Sequence, residues 1–260
     1  LIEESPSPYI NNITREKLVK DAIKITKACK YSGAGTIEFL VDKDYNYYFL
    51  EMNTRLQVEH PVTELVSRID LVKEQINIAA NKKLSFSNKE IKISGHSIEC
   101  RIYAEDGLNK FLPSTGIIED LSIPQGPSVR WDEGIRLGQN ITPYYDPLLG
   151  KLITWGNNRK DALNRMQRAL KEFYISGIST TIPLCKTVLK NINFIRGNYS
   201  TNILNLIEDE LLNNNDRKDN SIIAGIAAIQ YKNKYLPLKK FKTNNKDSNW
   251  LVIGRKKAIK

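Results

Sequence analysis

Hydrophobic and polar positions along the chain follow two periods. After a break at Ser5-Pro6-Ser7-Pro8, apolar residues recur at Leu18, Ala22, Ile25 and Cys29. That is the spacing of one helix face, and it predicts a helix over about 15–31 with Cys29 as a buried core thiol. Gly33 and Gly35 stop it. Two strand-like runs follow, Thr36 to Val41 and Tyr47 to Met52, joined by the turn Asp42-Lys43-Asp44-Tyr45-Asn46. This is a hairpin pattern. Each strand carries one carboxylate, Glu38 or Glu51, among bulky apolar neighbours, which predicts acids in a buried hairpin.

The helical period returns after Pro61. Leu65, Val66, Ile69, Val72, Ile76 and Ala79 predict one helix over about 62–81. Residues 91–104 then alternate as a strand. Ile98, Cys100 and Ile102 point one way, with Cys100 in the core; Glu99, Arg101 and Tyr103 point the other. Turn signals crowd 112–155 and predict short strands, of which 151–155 is the clearest. A helix over about 159–174 buries Ala162, Met166, Ala169 and Phe173. Further helices are expected over 182–189 and 201–212, then a polar linker at 213–220 and a short helix within 221–230.

Composition narrows the class. The chain has 260 residues, 41% hydrophobic and 26% charged, which suits a folded protein. No apolar run reaches the ~18 residues of a membrane span. The formal charge is +10, but residues 211–260 hold 12 Lys/Arg against 3 Asp/Glu. The body is left at +1, which disfavours a nucleic-acid-binding body. Cys29, Cys100 and Cys185 are widely spaced and there are only two histidines, so neither a zinc site nor a disulfide scaffold is expected. His60 and His96 read as structural. The opening Leu1-Ile2-Glu3-Glu4 does not resemble a signal peptide.

The densest chemistry lies in Glu51-Met52-Asn53-Thr54-Arg55-Leu56-Gln57-Val58-Glu59-His60-Pro61. Continued strand geometry would project Glu51, Asn53, Arg55, Gln57 and Glu59 from one face, with Glu38 on the neighbouring strand. Such an alternation fits a solvated face. It also fits a metal–phosphate site, and the apolar surroundings of Glu38 and Glu51 tilt the reading towards the second. Glu38, Glu51 and Asn53 offer hard oxygen ligands suited to Mg²⁺ or Mn²⁺ completed by waters and phosphates. Arg55 can fork onto a carboxylate, carbonate or phosphate. Glu59 is placed to act as a base.

These residues resemble the biotin carboxylase family of the ATP-grasp superfamily. The likeness runs from G-A-G-T-I-E-F-L at 33–40 through E-M-N-T-R-L-Q-V-E-H-P at 51–61, G-H-S-I-E-C-R-I-Y-A-E-D at 95–106, F-L-P-S-T-G at 111–116 and P-Y-Y-D-P-L-L-G-K-L-I at 143–153 to G-N-Y-S-T-N at 197–202. It implies an α+β fold: the C-terminal lobe of an ATP-grasp domain over 1–90 and an antiparallel-sheet C-terminal domain with flanking helices over 91–212; the basic tail over 213–260 lies beyond the likeness. It implies that Glu38, Glu51 and Asn53 bind Mg²⁺ or Mn²⁺ with ATP, that Arg55, Gln57, Val58 and Glu59 bind bicarbonate with Glu59 as base, and that Arg101 contacts the biotin ureido oxygen. Leu40 and Ile203 would contact adenine. Implied partners are a biotin carboxyl carrier, a carboxyltransferase and a second copy in a homodimer or larger complex, with no nucleic acid or membrane, in the cytoplasm or an organelle matrix.

The family's N-terminal domain, glycine-rich lid and upstream bicarbonate-contacting lysine have no counterpart in the chain, which therefore reads as a fragment expected not to turn over ATP alone. No A-M-K-M-like carrier site occurs. Two rivals remain at this level. One is another ATP-grasp ligase, of carbamoyl-phosphate or purine-pathway type, which would share Glu38, Glu51 and Asn53. The other is a binding protein acting through the basic tail.

Overall fold

The computed structural model describes residues 1–87, 90–107, 109–207 and 225–231. The chain divides into two compact units, Leu1–Asn213 and Asn214–Lys260. In the second unit residues 225–231 are helical and exposed; the expected linker and the basic stretch 232–260 lie outside the described residues, as does the end of the helix expected over 201–212, of which 203–207 are helical.

The first unit begins with β1 (Ile2–Ser5), α1 (Asn12–Ala28), β2 (Thr36–Val41), β3 (Tyr47–Asn53), α2 (His60–Ser67) and α3 (Leu71–Ala79). Then come β4 (His96–Tyr103), β5 (Glu105–Asp106), β6 (Leu112–Pro113), β7 (Gly116–Ile117), β8 (Asp120–Ser122), β9 (Val129–Glu133), β10 (Asn140–Ile141) and β11 (Leu148–Gly156). It closes with α4 (Arg159–Glu172), β12 (Tyr174–Ser176), α5 (Ile182–Lys190) and α6 (Ile192–Arg196). One antiparallel sheet, ordered β1-β4-β11-β9, organises it. The expected α+β architecture is present.

The sheet has two unlike faces because strand side chains alternate. On one, Ile98, Cys100, Ile102 and Leu152 pack with Ala162, Met166 and Ala169 of α4 and with Leu184, Cys185 and Val188 of α5. All are at most 6% exposed, and each large apolar side chain so buried contributes about 1.5–3 kcal/mol. Asn158 caps α4 by accepting from the Asp161 N–H at 2.9 Å. Gly156 admits this close approach: a Cβ there would lie 2.4 Å from the Ala162 nitrogen. On the opposite face the register sets Glu99 against Glu3 and Arg101 against Lys151, beneath α2.

Several expectations are corrected. Helix α1 starts earlier than its apolar stripe, because Asn11 accepts from the Thr14 N–H at 2.8 Å. It ends at Ala28, which leaves Cys29 exposed rather than in the core. The helix expected over 62–81 is two helices. Arg68 turns left-handed (φ 61°) at the end of α2, and Asp70 caps α3 through the Lys73 N–H at 2.8 Å. Val72 and Ile76, expected on a buried face, are exposed, while Glu74 is buried and accepts from Ser85 and Asn77. The β2–β3 hairpin forms, but Leu40, Tyr48, Phe49 and Leu50 are each more than half exposed, so its acids are not held in a core.

A buried ionic cluster staples the N-terminal strand to α4. The Glu4 carboxylate, 4% exposed, accepts both Nε (2.7 Å) and Nη2 (3.0 Å) of Arg159, His96 Nε2 at 2.5 Å and the Tyr199 hydroxyl. His96 is thus structural, as its sequence suggested. Burial pushes the Glu4 carboxyl up, but the bonds from His96, Arg159 and Tyr199 outweigh it and hold it below its ordinary value. A depressed carboxyl contributes stability above its unfolded pKa, and that contribution is lost as pH falls through the folded value. Glu4→Ala, which leaves the Arg159 guanidinium without its carboxylate, should lose about 3–5 kcal/mol at neutral pH and show a flatter acid limb than the parent in urea unfolding measured across pH.

Candidate active site

The hairpin register puts Glu38 opposite Glu51 and Thr36 opposite Asn53. Paired residues share a face, so both carboxylates and the amide lie together. A bulge between Glu38 and Phe39 leaves Leu50 unpaired and sharpens the strand's twist beside the acids. The Asn53 amide donates to Glu38 Oε1 at 2.7 Å and to Glu51 Oε1 at 2.9 Å, and the Gln57 amide donates to the same Glu38 oxygen at 2.5 Å. Among the described residues no Lys or Arg forms an ion pair with either acid. Two like charges directly across a hairpin oppose the pairing unless a cation joins them.

That donor set fits a divalent cation. It is all oxygen and carries two carboxylates. Among the described residues no cluster of three or more His, Cys, Asp or Glu forms a complete cage. Mg²⁺ is commonly held in this way, by one or two carboxylates with the remaining positions left to water and phosphate.

Beyond Asn53 the chain leaves the strand, so the expected continuous polar face to Glu59 does not exist. The 54–59 segment is instead tied down residue by residue. His60 Nδ1 lies 2.8 Å from the Gln57 carbonyl, which can only accept, so Nδ1 carries the proton. Lys151 Nζ donates to the Val58 carbonyl at 3.0 Å and pairs with Asp132 at 3.3 Å. Arg101 Nη2 reaches Glu59 Oε2 at 2.8 Å and Glu3 Oε1 at 3.1 Å. For Arg101, burial works against the charge, but Tyr103, Glu3 and Glu59 outweigh it and raise its pKa. Arg55 stays exposed and, among the described residues, donates only to the Leu56 carbonyl, at 3.3 Å.

Glu38, Arg55, Gln57, Glu59 and His60 line a single cavity of about 700 Å³. Leu40 and Ile203 line a different cleft, of about 680 Å³, with Tyr199. The structure therefore joins Glu38, Glu51, Asn53 and Gln57 in one cluster and Glu59 and Arg101 in a second, bridged by the 57–59 segment. Sequence reasoning missed Glu3 and Lys151. Lys151 lies in a quoted motif and Glu3 in the opening Leu1-Ile2-Glu3-Glu4, but only the sheet register brings them beside Arg101.

Residues 99–206 match the family described as biotin carboxylase C-terminal domain, and residues 1–87 match carbamoyl-phosphate synthase L chain, ATP binding domain. The chain belongs to the biotin carboxylase family. It is 48% identical over 204 residues to the biotin carboxylase of Nostoc sp., covering 78% of this chain and 46% of that protein. It is 47% identical over 206 residues to the mitochondrial propionyl-CoA carboxylase alpha chain of Mus musculus, covering 78% of this chain and 28% of that one. The biotin carboxylase domain of the Hydrogenobacter thermophilus 2-oxoglutarate carboxylase, solved with MgADP and bicarbonate, superposes with a TM-score of 0.79 at 43% identity, covering 81% of this chain and 47% of that one. The chain thus spans less than half the length of each of these relatives.

Lys151 is a tether of the 57–59 segment. Lys151→Met keeps the aliphatic stem and removes the ammonium. Amide exchange at His60 and Val62, whose N–H groups bond back to Gln57 and Glu59, should accelerate. Global stability should fall by about 1–3 kcal/mol, the cost of a buried group left unsatisfied. Unchanged exchange at those amides would show that the tether is dispensable.

Proposed function

We propose that the protein carrying this chain catalyses ATP-dependent carboxylation of biotin on a carrier protein, with bicarbonate as the carbon source and carboxyphosphate as the intermediate. This is the first half-reaction of a biotin-dependent carboxylase. The observation that carries the reading is the Arg101–Glu59 contact. Two residues 42 apart in sequence, one suited to take a proton and one to face a developing oxyanion, meet at 2.8 Å.

Glu38, Glu51 and Asn53 would hold Mg²⁺, or Mn²⁺ with the same preference for oxygen. The bound cation supplies neutralisation of the triphosphate and orientation of its γ-phosphoryl group. Arg55 offers a guanidinium that cannot deprotonate to the bicarbonate anion, with Gln57 lining the same cavity and Val58 held beside it by its carbonyl bond to Lys151. Glu59 takes the bicarbonate proton as the bicarbonate oxygen attacks the γ-phosphorus and ADP leaves. Carboxyphosphate divides into CO₂ and phosphate, the phosphate takes the ureido N–H proton, and the ureido nitrogen attacks CO₂. Arg101 then stabilises the negative charge that develops on the ureido oxygen. Leu40 and the buried Ile203 give their cleft an apolar wall suited to adenine.

Carrier and carboxyltransferase partners, a homodimeric assembly, and a cytoplasmic or organelle-matrix setting belong to the same proposal. So does the acceptor, an acyl-CoA such as acetyl-CoA or propionyl-CoA. Among the described residues no helix is long and apolar enough to cross a membrane. A second reading, another ATP-grasp ligase, draws support from the carbamoyl-phosphate synthase match at 1–87. It has no use for the Glu59–Arg101 contact or for the match at 99–206.

Biotin dependence separates the two. ATP hydrolysis by the protein carrying this chain should require bicarbonate and rise with free biotin. Glu59→Gln should lower kcat by about 10²–10⁴-fold, the range for loss of a general base. Glu51→Gln should raise the Mg²⁺ concentration needed for half-maximal rate. Hydrolysis indifferent to biotin would overturn the assignment in favour of the second reading.

A further inference from the structure

Strand β4 buries one acid that none of these steps uses. Glu99 has no exposed surface, and neither of its carboxyl oxygens has a hydrogen-bond partner. It lies on the same sheet face as Arg101, two residues along, and directly opposite Glu3 on β1. Lys151 stands opposite Arg101 on β11. Arg101 Nε is also buried and without a partner. The two cations nearest this acid are already engaged by the 57–59 segment, Arg101 with Glu59 and Lys151 with the Val58 carbonyl.

An ionised carboxylate cannot stay buried without a partner; it must recruit one or take up a proton. Among the described residues, Arg101 and Lys151 are the cations whose charge bears on Glu99. An ionised Glu99 would compete for Arg101 through its vacant Nε, and for Lys151 against the Val58 carbonyl and Asp132. We propose that Glu99 is a positioning residue, held as the neutral acid beneath the 57–59 segment, and that its ionisation draws Arg101 and Lys151 off the bonds that fix Glu59 and the Val58 carbonyl. The inference rests on the proposed bicarbonate chemistry of that segment.

The surrounding charges agree. Glu99 is faced by Glu3 of β1, Arg101 and Tyr103 of β4, Lys151 of β11, and Arg130 and Asp132 of β9. α2, which packs on β4, and the turn before it carry Glu59, His60, Glu64 and Arg68. Arg130 is spent on Asp132 at 2.7 Å and Glu64 at 2.8 Å, and Arg68 lies 4.5 Å over the Trp155 ring, so neither serves Glu99. Burial pushes the Glu99 carboxyl up to about 8, with Lys151 and Arg101 pulling it down and Glu3 and Glu59 adding to the rise.

The test compares the protein carrying this chain with its Glu99→Gln variant, which keeps the shape of the neutral acid and cannot ionise. If only the neutral form positions the segment, the bicarbonate KM of the parent should rise about tenfold between about pH 7 and pH 9, as the competent fraction falls. The variant should stay flat over that interval. A parallel rise in both proteins would overturn the inference. Carbon-13 NMR of the glutamate carboxyls, with the Glu99 signal assigned by its loss in the variant or by selective labelling of the parent, reads protonation without turnover. A Glu99 carboxyl already ionised at neutral pH overturns the inference, even where the variant fails to fold. A neutral Glu99 in a protein with no bicarbonate-stimulated hydrolysis overturns the proposed function instead.

Discussion

One guanidinium joins the parts of this molecule that chemistry needs together. Arg101 is anchored in the central strand of the sheet and reaches outward to Glu59, on the loop that leaves the hairpin, and to Glu3, on the edge strand. Without it, the loop bearing the proposed base would meet the sheet through the Lys151–Val58 bond and the packing of α2. Arg101 can hold this place because its charge is permanent and its fork presents several donors in one plane, so one side chain spans two carboxylates. Its position in turn depends on β4, which is locked between β1 and β11 and backed by α4.

The sheet therefore divides its labour by face. The α4 side is a packed apolar layer of the kind that makes displacement costly. The α2 side carries acids and bases that would be expensive to bury singly, and nearly every one is paired: Arg130 with Asp132 and Glu64, Lys151 with Asp132, Arg101 with Glu3 and Glu59. Glu99 is the exception. An acid without a partner in an otherwise paired layer is where a change of protonation has the largest lever, since it can be accommodated only by breaking a pair already made.

Much of this was legible in the sequence. The period of two across 98–102 gave the buried face of β4 correctly, and the period of 3.6 gave α4 with its buried Ala162, Met166 and Ala169. The acids of the hairpin were found for a reason that proved false. Their apolar neighbours suggested burial, yet Tyr48, Phe49 and Leu50 are exposed; what brings Glu38 and Glu51 together is cross-strand register. Local alternation separated Glu99 and Arg101 from the core face correctly, but it cannot see that α2 closes over their side. The break at Arg68 was hidden because the apolar spacing runs through it, while the decisive signals were a left-handed residue and the Asp70 cap. Glu3 and Lys151 were missed since their roles exist only through pairing with β4.

The two halves of the proposed site are coupled through Gln57. Its amide bonds the oxygen of Glu38 that also receives Asn53, while its carbonyl holds the His60 ring at the start of α2. One residue later the backbone is held by Lys151, and one after that the side chain is held by Arg101. A cation drawn to Glu38 and Glu51 would compete with these amide donors for the same carboxylate oxygen. The strain would pass along three consecutive residues to the proposed base. In the proposed site, metal occupancy and base position would thus be linked by a short covalent path rather than by distance through space, and such a linkage would need no motion of the sheet, whose apolar side is closely packed.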